Sequence, residues 1–231
     1  RSWFSFLAGG SSPAGLAARA HSLGQPSLAL TDVNGVYGTI RFQKACRALG
    51  IHPVIGAEVW VEGAPLVLLC RSHQGYANLC RLLTGAHLRD RDRPDCRLTG
   101  LQAHAEDLFC LTGGRQGKLW QLVEHRRGQE ARDWVRSLQD LFGNTLYVEL
   151  SHGLQKDDSS QVDRLARLAH HCDVALVATN DVRYAAPEEY RRYDLLTCIR
   201  LGITVSAPHA QRPRNAEAYL KSQGPLRRLI P

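Results

Sequence analysis

The sequence contains no methionine, few aromatic residues (7% of 231) and no long apolar run. The longest apolar stretches, such as residues 65–70, are far too short to cross a bilayer, so no membrane segment is expected. Residues 1–5 lack the basic region, apolar stretch and cleavage site of a signal peptide, which predicts a cytoplasmic location. Because the chain does not begin with methionine, we interpret it as a segment of a longer protein.

No two of the seven cysteines form a CxxC pair, and their number is odd. A secreted disulfide framework and a zinc ribbon both need paired or closely spaced cysteines, so both classes are disfavoured. We predict that the cysteines are reduced and that most of them fill the core.

The net charge of +7 and the pI of about 9.2 favour an acidic partner, of which nucleic acid is the usual one. A solvated basic surface is the alternative. Residues 89–93 alternate in sign and are typical of a solvated loop, whereas residues 212–228 carry five basic residues against Glu217 alone. Any basic patch is therefore expected at the C-terminal end.

Helical and strand-like segments alternate along the chain. A first helix is indicated after Ser12, a typical N-cap, with Pro13 at its first position. The other predicted helices cover residues 38–49, 76–83, 118–125, 129–142 and 160–171. The predicted strands cover residues 26–31, a strand pair within 52–61, and 66–70, 108–112, 146–150 and 175–179. Such alternation favours parallel strands with helices outside, in a closed or nearly closed barrel.

Polar side chains follow several of these apolar runs, at the strand ends where parallel barrels gather function. They are Asp32, Glu58, His152, Asn180 and Asp181. Two carboxylates and a histidine at one barrel mouth have the donor types that bind a divalent metal. The alternative is structural: turn and helix caps, an arginine partner for Glu58, and a surface histidine before a glycine turn.

Four ordered segments carry a resemblance to a known family: residues 4–11 (FSFLAGGS), 28–38 (LALTDVNGVYG), 53–58 (PVIGAE) and 177–184 (VATNDVRY). Together they resemble the PHP domain that begins bacterial DNA polymerase III alpha subunits and their error-prone relatives. The resemblance implies an α/β fold, a distorted seven-stranded βα barrel of PHP type over residues 1–205. Residues 206–231 are then a basic, proline-containing exit segment toward polymerase domains.

Metal-competent members of that family hold a cluster of histidines and carboxylates at the barrel mouth. By resemblance, Glu58, His152 and Asp181 remain at ligand positions. Other ligand positions hold residues that do not bind metal: Arg1, Ala8, Val33, Pro65 and Arg183. Three scattered ligands are too few to fix a metal cluster. Arginines in place of imidazoles are expected to pair with Glu58 or Asp181 instead.

The resemblance thus implies the PHP domain of a DNA-directed DNA polymerase, in replication or error-prone translesion synthesis, that is structural and without its own catalysis or cofactor. Expected partners are the rest of the polymerase chain, DNA, and other replisome or translesion subunits, with no membrane. The alternative is an active phosphoesterase or proofreading 3′–5′ exonuclease with residual zinc or manganese and Asp32 and Asp181 as catalytic groups. Whether the parent enzyme is replicative or error-prone stays open.

Overall fold

The computed structural model describes residues 1–230 and shows an α/β fold. The strands are β1 (Ser27–Val33), β2 (His52–Val61), β3 (Ala64–Cys70), β4 (Leu108–Leu111), β5 (Leu146–Ser151) and β6 (Ala175–Thr179). The helices are α1 (Pro13–Ser22), α2 (Thr39–Ala48), α3 (His73–Arg89), α4 (Leu98–His104), α5 (Lys118–Glu124), α6 (Gly128–Phe142), α7 (Asp158–His171), α8 (Tyr190–Leu201) and α9 (Gln223–Arg227).

The six strands form one curled sheet in sequence order, a half-barrel with β1 and β6 at its edges. Six strands, rather than the seven expected, are present within residues 1–230. Strands β1 and β2 are parallel, and so are β4, β5 and β6. Strand β3 runs antiparallel to both of its neighbours, so the prediction of an all-parallel sheet was wrong.

A tight hairpin explains the antiparallel strand. Residues 52–61 form the single strand β2 rather than the predicted strand pair, and the chain reverses at Glu62 and Gly63. Both residues have positive φ, +50° and +81°. Two consecutive residues with positive φ are the signature of a type I′ turn, which joins antiparallel strands with the correct twist. A two-residue connection is also too short to return the chain for parallel pairing.

The predicted first helix and its N-terminal cap, Ser12, are both confirmed. The Ser12 hydroxyl accepts a hydrogen bond from the Gly15 N–H over 2.9 Å, and Pro13 occupies the first turn. The helix buries Leu16, Ala17 and Ala20 in a small core shared with α2 and β1. Full burial of a leucine contributes about 1.5–3 kcal/mol, so this small core anchors α1 firmly.

Alternation along β5 determines which residues face the barrel interior. Leu146, Val148 and Leu150 lie in the larger hydrophobic core between the sheet and the outer helices. Successive side chains of a strand point to opposite faces, so Glu149 and Ser151 face the interior. The strand therefore delivers a carboxylate into the barrel.

The C-terminal segment returns to the barrel wall. The Arg183 N–H donates to the Ala218 carbonyl over 2.8 Å, and the Leu220 N–H donates to the Tyr184 carbonyl over 3.2 Å. Leu220 is buried in the smaller core. The boundary at residue 205 stays a prediction. Within residues 1–230, no helix combines the length and the apolar character needed to cross a membrane.

Candidate functional site

A polar groove lies at the mouth of the half-barrel, beside the C-terminal ends of β1, β5 and β6. Its volume is about 770 Å³. A second cavity of about 310 Å³ lies inside the barrel and shares Glu58, Asp181 and Arg183 with the groove as lining residues. The barrel mouth therefore brings together the predicted candidates Glu58, His152 and Asp181.

Two arginines are bound to two of the predicted ligands. The Arg1 guanidinium forms an ion pair with Glu58 and lies 3.5 Å from Asp181 Oδ1. The Arg183 guanidinium donates to Asp181 Oδ2 over 2.6 Å. Both arginine side chains are buried, whereas the Asp181 side chain is 42% exposed. The carboxylates at the mouth are thus charge-neutralised by guanidinium groups from the chain itself.

The arginines control the ionisation of Asp181. Desolvation opposes ionisation, yet the positive charges of Arg183 and Arg1 outweigh it and lower the pKa of Asp181 below its ordinary value of 3.8. Desolvation also acts against the charged form of Arg183, but the adjacent Asp181 carboxylate raises the pKa of that guanidinium. Asp181 is therefore ionised and Arg183 protonated at neutral pH.

Glu149 is a further carboxylate in the inner cavity, and it was not among the residues predicted from the sequence. Thr179 Oγ1 donates to Glu149 Oε1 over 2.5 Å, and Glu149 Oε2 has no hydrogen-bond partner within residues 1–230. Desolvation raises the pKa of Glu149 from 4.5 to about 7, with Asp181 and Glu58 adding repulsion. Its inward position follows from the period-2 alternation of β5, which was the signal available in the sequence.

His152 lines the groove but has both ring nitrogens engaged. Nδ1 accepts a hydrogen bond from the Leu154 N–H over 3.2 Å, and Nε2 lies 2.9 Å from the Ser159 hydroxyl. Desolvation lowers the pKa of His152 below 6.5, which favours the neutral ring. An acceptor role for Nδ1 leaves the proton on Nε2, so the one lone pair that could bind a metal, on Nδ1, is already engaged.

Asp32 does not join the other carboxylates. Asp32 pairs with Ala57, and the next pair in the register is Val33 with Glu58. Because successive side chains alternate between faces, Asp32 lies on the face of the sheet opposite to Glu58. Its carboxylate accepts hydrogen bonds from the Ser2 N–H over 2.6 Å and from the Ser5 hydroxyl over 2.8 Å. Asp32 is a buried anchor for the N-terminal loop.

The remaining degenerate positions offer no donor. Ala8 and Val33 line the groove with aliphatic side chains. Pro65 lies in β3 opposite Trp60 and is not a lining residue of the groove or of the inner cavity. These positions leave the polar character of the mouth to the carboxylates and arginines.

The residues present do not fit a metal cluster of the family type. Within residues 1–230, no group of three or more His, Cys, Asp and Glu side chains is arranged to hold a metal ion. Asp181 and one oxygen of Glu58 are occupied by guanidinium groups, and the nitrogens of His152 are hydrogen-bonded. An arginine cannot release its positive charge to admit a cation.

Arg115 is a second residue that the sequence did not single out. Its guanidinium forms an ion pair with the fully buried Asp158 and stacks 5.0 Å from the Trp120 ring centroid. The other Asp158 oxygen accepts from the N–H groups of Gly153 and Gln155, over 2.8 Å and 3.1 Å. This network fixes the loop between β5 and α7, which forms one wall of the groove.

Comparison with protein families identifies residues 1–153 as a PHP domain. An error-prone DNA polymerase of Symbiobacterium thermophilum is 37% identical over 237 residues, which cover 94% of this chain and 22% of the relative. The DNA polymerase III alpha subunit of Treponema pallidum is 35% identical, over 99% of this chain and 21% of the relative. The chain spans about a fifth of the length of these curated relatives.

Two solved structures share the fold. An amidohydrolase from Chromobacterium violaceum, with bound sulfate and no metal, superposes with a TM-score of 0.52 at 13% identity, over 76% of this chain and 84% of its own. A putative metal-dependent phosphoesterase from Bifidobacterium adolescentis gives a TM-score of 0.52 at 12% identity, over 75% and 82%. The chain belongs to the PHP domain family and is homologous to the N-terminal region of DNA polymerase III alpha subunits and error-prone DNA polymerases.

Proposed function

We propose that this chain is a non-catalytic PHP barrel of a DNA-directed DNA polymerase, where it braces the domains that perform synthesis. The observation that carries the proposal is the pair of arginine–carboxylate contacts, Arg1 with Glu58 and Arg183 with Asp181. They supply fixed positive charge where a metal-dependent enzyme needs open ligand positions.

The curated relatives are polymerase chains about five times as long as this one. We therefore propose the rest of the polymerase chain as the principal partner, with DNA and further replisome or translesion subunits. Synthesis itself is assigned to other domains of that chain, because within residues 1–230 no group of three or more His, Cys, Asp and Glu side chains is arranged to hold a metal ion for phosphoryl transfer. This role implies a cytoplasmic protein.

A second candidate function is a metal-dependent phosphoesterase or proofreading exonuclease. One observation favours it: Glu58 Oε1 and Glu149 Oε2 are buried and have no hydrogen-bond partner within residues 1–230. Both residues line the inner cavity, where an incoming cation could bind them. In this alternative, zinc or manganese would bind Glu58, Asp181 and His152, whereas Asp32, on the opposite face of the sheet, would not take part.

Elemental analysis combined with hydrolysis assays distinguishes the structural role from the enzymatic one. The purified chain is tested with p-nitrophenyl phosphate and a single-stranded oligonucleotide, with zinc or manganese, against Asp181→Ala. The matched control is Asp163→Ala, an exposed carboxylate on α7. We expect less than one metal ion per chain. We also expect the wild type, Asp181→Ala and Asp163→Ala to show the same background rate of hydrolysis. Stoichiometric metal with activity lost only in Asp181→Ala would replace the structural role by the enzymatic one.

A further inference from the structure

The first quarter of the chain is depleted in acidic residues. Residues 1–57 contain five arginines and lysines and a single carboxylate, Asp32. Asp32 is 1% exposed and is covered by Ser2 and Ser5, so it presents no negative surface. The sequence had indicated the C-terminal end as the basic region. There Arg212 pairs with Asp194 and Lys221 with Glu217, whereas Arg214, Arg227 and Arg228 are exposed and form no salt bridge within residues 1–230.

Helix α2 carries three of these basic residues on its exposed side. Arg41, Lys44 and Arg47 are exposed, and the helix has no acidic residue. None of the three forms a salt bridge with any residue of the described chain, 1–230. Their spacing of three residues places neighbouring charges about 4.5 Å apart along the helix axis, so they form a row of free positive charge.

Exposed aromatic side chains border this row. Trp3, Phe6 and Tyr37 are the exposed aromatic residues within 1–230; Tyr37 lies in the loop that leads into α2, and Trp3 and Phe6 lie in the N-terminal loop before α1. Phe6 is 84% exposed. Aromatic rings left in water at one place, beside free positive charge, are typical of a binding surface rather than of an ordinary solvated helix.

The two loops are held together by specific contacts. Ser5 Oγ accepts from the Val33 N–H over 3.0 Å, and the Arg41 guanidinium lies 5.6 Å from the Phe4 ring centroid. Gly9 allows the N-terminal loop to close on itself, since a Cβ there would lie 2.0 Å from the Ser2 carbonyl oxygen. The aromatic rings are thus presented by an ordered platform next to the basic row.

We propose that this surface binds single-stranded DNA, and we name it the α2 face: Trp3, Phe6, Tyr37, Arg41, Lys44 and Arg47. Unpaired bases stack on the aromatic rings while the phosphates contact the basic row, the combination that single-strand binding proteins use. The inference rests on the proposed function in its choice of DNA. The exposed rings and the basic row of the α2 face are present whatever the function of the barrel.

Fluorescence anisotropy with a fluorescein-labelled oligothymidine tests the stacking. We expect Phe6→Ala and Tyr37→Ala each to weaken binding by at least about fivefold, since each removes a stacking surface. Leu88→Ala is the matched control, because Leu88 is likewise 84% exposed but lies on α3. Equal effects of Phe6→Ala and Leu88→Ala, or no binding by the wild type, would overturn the proposal.

Salt dependence tests the basic row. Lys44→Ala/Arg47→Ala is expected to reduce the slope of log K against log salt concentration by roughly 1.4, about 0.7 for each lost phosphate contact. The matched control is Arg91→Ala/Arg93→Ala, an exposed pair in the loop after α3. An equal reduction in the control would show diffuse attraction by net charge and contradict a defined site.

Photo-crosslinking with an iodouracil oligonucleotide locates the contact directly. Crosslinks are expected in residues 1–8 and 36–47, and crosslinks confined to other peptides would overturn the α2 face. Because all six residues are partly or fully exposed, the variants should unfold at the wild-type midpoint. If the wild type neither binds DNA nor shows metal-dependent hydrolysis, this inference alone is refuted, whereas metal-dependent cleavage of the oligonucleotide would refute the proposed function.

Discussion

Arg183 and Asp181 bind each other across two residues of chain, with the guanidinium donating to Asp181 Oδ2 over 2.6 Å. Arg183 is the more buried partner, and Asp181 is 42% exposed. Without its carboxylate, a buried guanidinium would be an unpaired charge in the protein interior. Without its arginine, a half-exposed carboxylate would still be solvated by water, so its loss of stability would be smaller. The pair therefore stabilises the barrel mouth through Asp181 as counter-ion to a buried cation.

A double-mutant cycle on this pair is expected to be non-additive. Asp181→Asn should lower the free energy of unfolding by about 2 kcal/mol, more than Arg183→Met, because it leaves a buried cation without an anion. Asp181→Asn/Arg183→Met should cost less than the two single changes together, by about 1 kcal/mol. Urea unfolding measures all four proteins, and additivity within about 0.5 kcal/mol would argue against coupling.

Restoring imidazoles should not restore a metal site. In Val33→His/Arg183→His the new imidazoles face the groove, but Ala8 still offers no ligand and Arg1 still neutralises Glu58. We expect isothermal titration calorimetry to show zinc affinity no tighter than micromolar. Nanomolar zinc binding would show that further ligands are available at the mouth.

Glu149 should make stability depend on pH. Its pKa is raised from 4.5 to about 7, so the folded protein holds a proton that the unfolded chain releases between these values. Stability is therefore lost as the pH rises through this window, by up to about 3 kcal/mol, and Glu149→Gln removes the loss. We expect urea unfolding at pH 5 and pH 8 to show a smaller decrease for Glu149→Gln than for the wild type.

His152 also contributes to the pH dependence of stability, so the wild type has to be compared with Glu149→Gln. Its lowered pKa makes the folded state bind protons less readily, so its contribution to stability increases as pH rises through about 6.5. That contribution is common to the wild type and Glu149→Gln and cancels in the difference. Parallel pH profiles for the two proteins would contradict a raised pKa at Glu149.

Asp158 should be the most costly single carboxylate to remove from the groove wall. Asp158→Ala loses the ion pair with Arg115 and two backbone hydrogen bonds, and we expect about 3 kcal/mol of destabilisation. Asp158→Asn keeps an acceptor oxygen and should cost about half as much. Asp163→Ala, on the exposed side of the same helix, should stay within about 0.5 kcal/mol in thermal or urea unfolding.

Local pattern was sufficient for much of the secondary structure. The capping at Ser12, the helix–strand alternation and the apolar runs of β5 and β6 are properties of neighbouring residues, so the sequence predicted them. The antiparallel β3 was missed because the Glu62–Gly63 turn depends on two positive φ values at residues that the pattern did not single out.

Residue patterns were enough to predict the α/β architecture and, through four ordered motifs, membership of the PHP family. The contacts at the barrel mouth could be seen only in the folded chain. Arg1 meets Glu58 across 57 residues and Asp181 across 180, and Glu149 acquires its raised pKa from burial beside those carboxylates. Charge pairing and desolvation depend on distances in space, which only the curled sheet creates by bringing distant strands to one mouth.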